Sequence, residues 1–244
     1  MPEPRRKLRT TTRDKGVGVV IAAGGMGRRM GGTLPKQFLR LKGRSILERT
    51  LMLFQSHPEV REIVAVVPEA HLETTAWAVR RRNLRKVARV VAGGKDRQES
   101  VWNGLNAFSG PPRLVLVHDA VRPLVRRRVI DAVIRQARRY GAAVVGVRVK
   151  ETIKQEGEKG FYTRTLDRSS LWSIQTPQGF KFDTLYAAHR KARTSGFHGT
   201  DDASLLERLR GRVKIVEGDY DNVKITTKED LAVAEVVLKR RRSR

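Results

Sequence analysis

The residues with the clearest chemical potential lie near the start of the chain. An apolar run over residues 17–23 empties into Gly24, Gly25, Met26, Gly27, Arg28, Arg29 and Met30, and Lys36 follows six residues later. Small residues after a strand expose backbone N–H groups to phosphates, and fixed cations neutralise them. The pattern is that of a phosphate-handling site in which Arg28, Arg29 and Lys36 face phosphates, suited to charge stabilisation in phosphoryl or nucleotidyl transfer. The same glycines could also serve a tight turn for steric reasons alone. Two familiar phosphate motifs do not fit. No Gly-Lys-Ser or Gly-Lys-Thr follows the glycines, and Gly31, Gly32, Thr33, Leu34 and Pro35 replace the helix that a dinucleotide fingerprint requires.

A second cluster, His118, Asp119, Ala120, Val121, Arg122 and Pro123, follows the apolar run 114–117. A carboxylate at the carboxyl end of a central strand lies where open α/β sheets bind ligands, and Asp119 is a hard oxygen donor suited to Mg²⁺ shared with phosphate oxygens. The plainer reading makes Asp119 a cap for the next turn and His118 a hydrogen-bonded filler. Two further loops invite attention. The 93–100 segment, with Gly94 and Ser100, could read a base or a phosphate through its N–H groups, and Asp221-Asn222-Val223-Lys224 brings another carboxylate and a lysine.

These residues need a scaffold. Short β-branched runs at 17–23, 63–67, 87–91, 114–117 and 142–149 alternate with helical patterns at 69–82, 96–108, 126–140, 182–194 and 201–210. The alternation predicts an α/β fold of Rossmann-like, three-layer type, a mostly parallel sheet with helices on both faces. Ser45 and Glu48 form a capping box for a helix carrying Leu47, Leu51 and Phe54, and the last helix starts after Thr227 with Asp230 three residues on. Between 150 and 168 the rhythm breaks into two extended runs around a Glu-Gly-Glu-Lys-Gly turn, a protruding β-hairpin arm. Such an arm is marginal alone and is expected to pack on a second subunit.

At 244 residues the chain reads as one domain over 16–244, preceded by a basic, disordered tail over 1–15. The net charge of +26 invites a nucleic-acid reading, but tail residues and solvated helix faces account for much of it, and no nucleic acid is expected as a partner. Absent cysteine excludes disulfides, thiolate nucleophiles and cysteine-ligated metals. No apolar run spans a membrane and no signal peptide is evident, so no membrane partner and a cytoplasmic location are expected.

Taken in order, these segments resemble the 2-C-methyl-D-erythritol 4-phosphate cytidylyltransferases of the non-mevalonate isoprenoid pathway. The resemblance also rests on Leu34-Pro35-Lys36-Gln37, Thr165-Leu166-Asp167-Arg168, Thr176-Pro177-Gln178 and Thr200-Asp201-Asp202-Ala203. It implies a homodimeric, Mg²⁺-dependent enzyme joining CTP to a methylerythritol phosphate with release of pyrophosphate; ribitol 5-phosphate is the alternative acceptor. By that resemblance Arg29 and Lys36 are catalytic, holding the triphosphate and the pentacoordinate transition state. Ala23, Gly24, Gly25, Gly27, Gly94 and Ser100 bind CTP, and Asp119 and Asp221 lie by the metal. Arg122, Thr200 and Lys224 line the acceptor pocket, while Thr152 and Arg168 reach the neighbouring subunit's acceptor pocket from the arm. Lys95 departs from the family's usual acidic residue, and Val121 from its usual alanine.

Overall fold

The computed structural model describes residues 16–25 and 34–242. The segment 1–15, Gly27, Arg28 and Arg29 therefore lie outside the described residues. In chain order the elements are β1 (Val17–Ala22), β2 (Arg40–Leu41), β3 (Arg44–Ser45), α1 (Ile46–Gln55), β4 (Val60–Val67), α2 (Leu72–Arg81), β5 (Val87–Ala92), α3 (Arg97–Asn106) and β6 (Leu114–Asp119). They continue as α4 (Arg127–Tyr140), β7 (Ala142–Arg148), β8 (Lys154–Glu156), β9 (Tyr162–Thr165), β10 (Trp172–Lys181), α5 (Phe182–Thr194), α6 (Asp202–Arg208), β11 (Lys214–Glu217) and α7 (Lys228–Arg242).

Seven strands form one sheet in the order β11-β7-β10-β6-β1-β4-β5, in which β10 alone runs against its neighbours β6 and β7. The central strands are apolar throughout because both faces are covered, and the two-residue period divides them. Val19 and Ile21 of β1 point to a core with Leu47, Leu51 and Phe54 of α1 and Val129, Ile130 and Val133 of α4. Val20 points the other way, to Val101 and Leu105 of α3, Leu185 of α5 and Leu205 of α6. A third cluster fastens α7 through Ala234 and Val237 to Leu41, Leu124 and Ile225.

The α/β architecture is as the sequence predicts. Two sheet strands escape that reading. β10 contains Gln175, Thr176, Pro177 and Gln178, a polar stretch with a proline that argues against a central strand. The structure accommodates it through a register shift against β7 between Gln175 and Gln178. β11 is only four residues long and too short to show periodicity. The arm is a hairpin of β8 and β9, paired from Lys154↔Thr165 to Glu156↔Tyr162, and its tip leaves Phe161 76% exposed and Tyr162 64% exposed. Among the described residues no helix is long and apolar enough to cross a membrane.

The capping box is formed as read: Ser45 Oγ accepts from the Glu48 N–H at 3.1 Å, and Glu48 Oε2 accepts from the Ser45 N–H at 2.8 Å. Ser45→Ala is expected to cost about 1 kcal/mol, seen as a lower urea midpoint at unchanged slope. An unchanged midpoint would show that the cap adds nothing to α1.

Candidate active site

A cavity of about 780 Å³ opens at the carboxyl ends of the parallel strands β1, β4, β5 and β6. In open α/β sheets this end collects ligands, because strand ends and following loops converge there. Its wall combines Ala23, Gly24 and Gly25 after β1, Glu69 after β4, Gly94 to Arg97 after β5, Asp119 at the end of β6, and Lys36 and Lys224. The glycines allow two loops to meet back to back. A methyl group on Gly24 would stand 2.7 Å from Ser100 Oγ and 3.3 Å from Gly93 Cα, whereas one on Gly25 would meet open space.

Lys36 is placed by its neighbour. Gln37 is 2% exposed, and its Nε2 donates to the carbonyls of Ala23 at 2.7 Å and Gly25 at 3.0 Å. This ties the short 3-10 turn Lys36–Phe38 to the end of β1 and sets the lysine at the cavity rim. The loop after β5 is held differently. Ser100 Oγ accepts from the Gly94 N–H at 3.1 Å and donates to Asp96 O at 2.8 Å, while Glu99 takes the Lys95 N–H at 3.0 Å. Gly94 and Ser100 thus line the cavity, and this N–H and this hydroxyl also hold the loop in shape.

Asp119 gathers charge from three parts of the chain. Its Oδ1 accepts from Arg97 Nε at 3.2 Å, and its Oδ2 lies 2.8 Å from Lys224 Nζ and 3.7 Å from Arg122 Nε. Burial pushes the carboxyl upward, yet the pull of Arg97, Lys224 and Arg122 outweighs it and holds the group well below the usual carboxylate range. Beneath it, burial pushes the His118 imidazole down to about 4. Neutral His118 gives a consistent chain of bonds: Nε2–H donates to Arg122 O, Nδ1 accepts from the Thr176 hydroxyl, and Thr176 Oγ1 accepts from the Asp119 N–H, each at 3.0 Å. His118 is the hydrogen-bonded filler of the plainer sequence reading.

Asp221 does not line this cavity. Its two oxygens accept from Arg240 Nη2 at 2.8 and 2.6 Å, and Arg126 Nη2 lies 3.2 Å from Oδ2. The same loop brings Lys224 to Asp119, and Asn222 holds it by donating to Gln175 Oε1 at 2.9 Å and Thr176 O at 3.0 Å while its carbonyl accepts from Arg122. Among the described residues no group of three carboxylate or imidazole side chains could hold a metal ion.

The model of the 2-C-methyl-D-erythritol 4-phosphate cytidylyltransferase family matches residues 17–240. The chain belongs to this family. It is 46% identical over 229 residues to the enzyme of that name from Pelotomaculum thermopropionicum, covering 93% of this chain and 96% of that one. For the Geobacillus kaustophilus enzyme the identity is 45%, covering 90% and 95%. The crystal structure of 4-diphosphocytidyl-2C-methyl-D-erythritol synthase from Anaerococcus prevotii superposes with a TM-score of 0.81 at 31% identity, covering 93% of this chain and 99% of that one. The cytidylyltransferase from Thermus thermophilus gives 0.76 at 36% identity, covering 92% and 99%.

Within this family member, the structure does not bring every residue named from the sequence to one cavity. Ala23, Gly24, Gly25, Lys36, Gly94, Ser100, Asp119 and Lys224 line it, and Arg122 stands behind Asp119. Thr200 is exposed at the start of the turn into α6, outside the lining, and Thr152 and Arg168 lie exposed at the root of the arm, Arg168 donating to Lys150 O at 2.8 Å. Sequence reasoning missed Arg97, which joins Asp119 to the buried Asp202 at 2.7 Å. One signal was available: a cation at the first position of a helix opposes the helix dipole and calls for another reason to be there.

Burial raises the Asp202 carboxyl, but Arg97 and His189 outweigh it and hold the group below its ordinary value of 3.8. Its stabilising contribution is therefore complete above that value and is lost as pH falls through the lower folded value. Asp202→Asn should destabilise at pH 7 by on the order of 3 kcal/mol. That gap should narrow below pH about 4, and a gap constant from pH 7 to 2 in chemical denaturation would contradict the assignment.

Proposed function

We propose that this cavity carries out the family's reaction, transfer of a cytidylyl group from CTP to 2-C-methyl-D-erythritol 4-phosphate with release of pyrophosphate. The family match over residues 17–240 carries this reading, supported by a cavity that joins a glycine turn to Lys36, Lys95 and Lys224. An oxygen of the acceptor phosphate attacks the α-phosphorus, and the bond to the bridging oxygen of the pyrophosphate breaks. A phosphomonoester is already anionic near neutral pH, so the protein needs no nucleophile; positioning and charge stabilisation suffice.

Lys36, together with Arg29 from outside the described residues, is proposed to hold the triphosphate and the charge that develops at the α-phosphorus. The backbone of Ala23 to Gly25 and the Gly94 loop would shape the nucleoside side. Lys224 and Arg122, which already gather at Asp119, would receive the acceptor phosphate, with Thr200 at the edge. Asp119 fits a divalent cation such as Mg²⁺ as one ionised oxygen donor, the nucleotide's phosphate oxygens supplying the others. Such a cation would neutralise phosphate charge when bound. Asp221 does not line this cavity; paired with Arg240 and Arg126, it is proposed instead to fasten the loop that carries Lys224.

The arm is proposed to pack on a second copy of the chain, covering Phe161 and Tyr162 and carrying Thr152 and Arg168 to the partner's acceptor pocket.

Two measurements test this reading. Pyrophosphate release should favour the methylerythritol phosphate over ribitol 5-phosphate, and a preference of about tenfold or more for ribitol would displace the assignment. Lys36→Ala should lower kcat by about 10²–10³-fold while leaving the melting temperature nearly unchanged. For the arm, Arg168→Ala should raise KM for the acceptor and spare that for CTP. Mixing it with Lys36→Ala subunits should restore activity in the heterodimer; no recovery after confirmed subunit exchange would place the arm on its own subunit.

A further inference from the structure

Arg97 bridges two carboxylates from distant parts of the fold. Its Nε lies 3.2 Å from Asp119 Oδ1 and its Nη1 2.7 Å from Asp202 Oδ2. Asp202 is 1% exposed, begins α6 directly after Thr200 and Asp201, and meets the buried His189 of α5 at 3.0 Å through its other oxygen. On the far side, Asp119 passes the connection to Lys224 at 2.8 Å. A line of polar contacts thus runs from α5 along the cavity to the loop before α7.

Three features make this an expensive way to gain stability alone. Buried ion pairs often do no better than apolar groups of similar volume. Arg97 stands at the first position of α3, against the helix dipole. Its Nη2 is buried without a hydrogen-bond partner among the described residues, which carries its own desolvation cost. What the guanidinium does supply is geometry, since its planar fork can hold two carboxylates at a fixed separation and a lysine ammonium cannot.

We infer that Arg97 is a positioning residue for the acceptor half of the site, holding Asp119 in one orientation and anchoring the 200–202 turn against the nucleotide-side loop. The inference rests on the function proposed above. Without the guanidinium, Asp119 Oδ1 loses its partner and the carboxylate turns toward Arg122 and Lys224, drawing both from the acceptor phosphate. Asp202 is left as a buried charge without its guanidinium, loosening the start of α6 and with it Thr200.

The test is steady-state kinetics on the full chain for Arg97→Gln, Arg97→Lys and Asp202→Asn, varying each substrate in turn. Arg97→Gln should raise KM for the acceptor by about tenfold or more. Arg97→Lys and Asp202→Asn should raise it by about three- to tenfold, and all three should leave KM for CTP within about threefold of the parent. The double variant Arg97→Gln with Asp202→Asn should be no worse than Arg97→Gln alone, because the two residues act through one link. A partly unfolded preparation lowers apparent kcat and leaves both KM values in place, so the split separates positioning from loss of fold. If Arg97→Gln does not fold, Arg97→Lys and Asp202→Asn carry the test. An acceptor KM within twofold of the parent in the variants that fold, or a CTP KM rising in equal measure, overturns the inference. Failure of the functional reading looks different: the parent protein would release no pyrophosphate from CTP and the methylerythritol phosphate.

Discussion

The site depends on one buried carboxylate. Asp119 is 6% exposed at the end of β6, and its charge is sustained by Arg97 from α3, Arg122 from the next turn and Lys224 from the loop before α7. Remove the carboxylate and three cations face one another without a shared counterion; remove the cations and the carboxylate cannot stay ionised at that depth. With Asp202 included, three cations face two carboxylates, leaving an excess of one positive charge where anionic substrates are proposed to enter. The neutral His118 below adds no charge and holds the backbone through Thr176 and Arg122.

The antiparallel strand β10 makes this arrangement possible. Its shift in register places Thr176 where its hydroxyl accepts from the Asp119 N–H, and Gln175 and Gln178 on either side reach Asn222 and Asp201. A polar strand in the middle of a sheet would be costly if its groups were unpaired. Here its side chains bind the loops that carry Asn222 and Asp201, so the strand joins the sheet to the cavity's surroundings.

The basic composition also takes a more definite form. Arg126, Arg128, Arg240 and Arg241 converge on Asp219 and Asp221 beside the loop that carries Lys224. Part of the arginine surplus is thus spent beside Lys224, in pairs with Asp219 and Asp221.

The sequence alone determined most of the elements and the residue types they carry. Apolar β-branched runs, the Ser45 and Glu48 box, the glycine turn with Lys36 and the His118-Asp119 strand end are local patterns, and local backbone physics made them legible. The hairpin was legible for the same reason, from two extended runs about a glycine turn. Tertiary structure decided what distance along the chain conceals. That Asp221 meets Arg240, that the hydroxyl of Ser100 meets Gly94, and that Arg97 spans to Asp202 105 residues away, all depend on which loops the sheet order sets side by side. β10 was hidden because its polar residues are buried by partners that exist only once the sheet has closed.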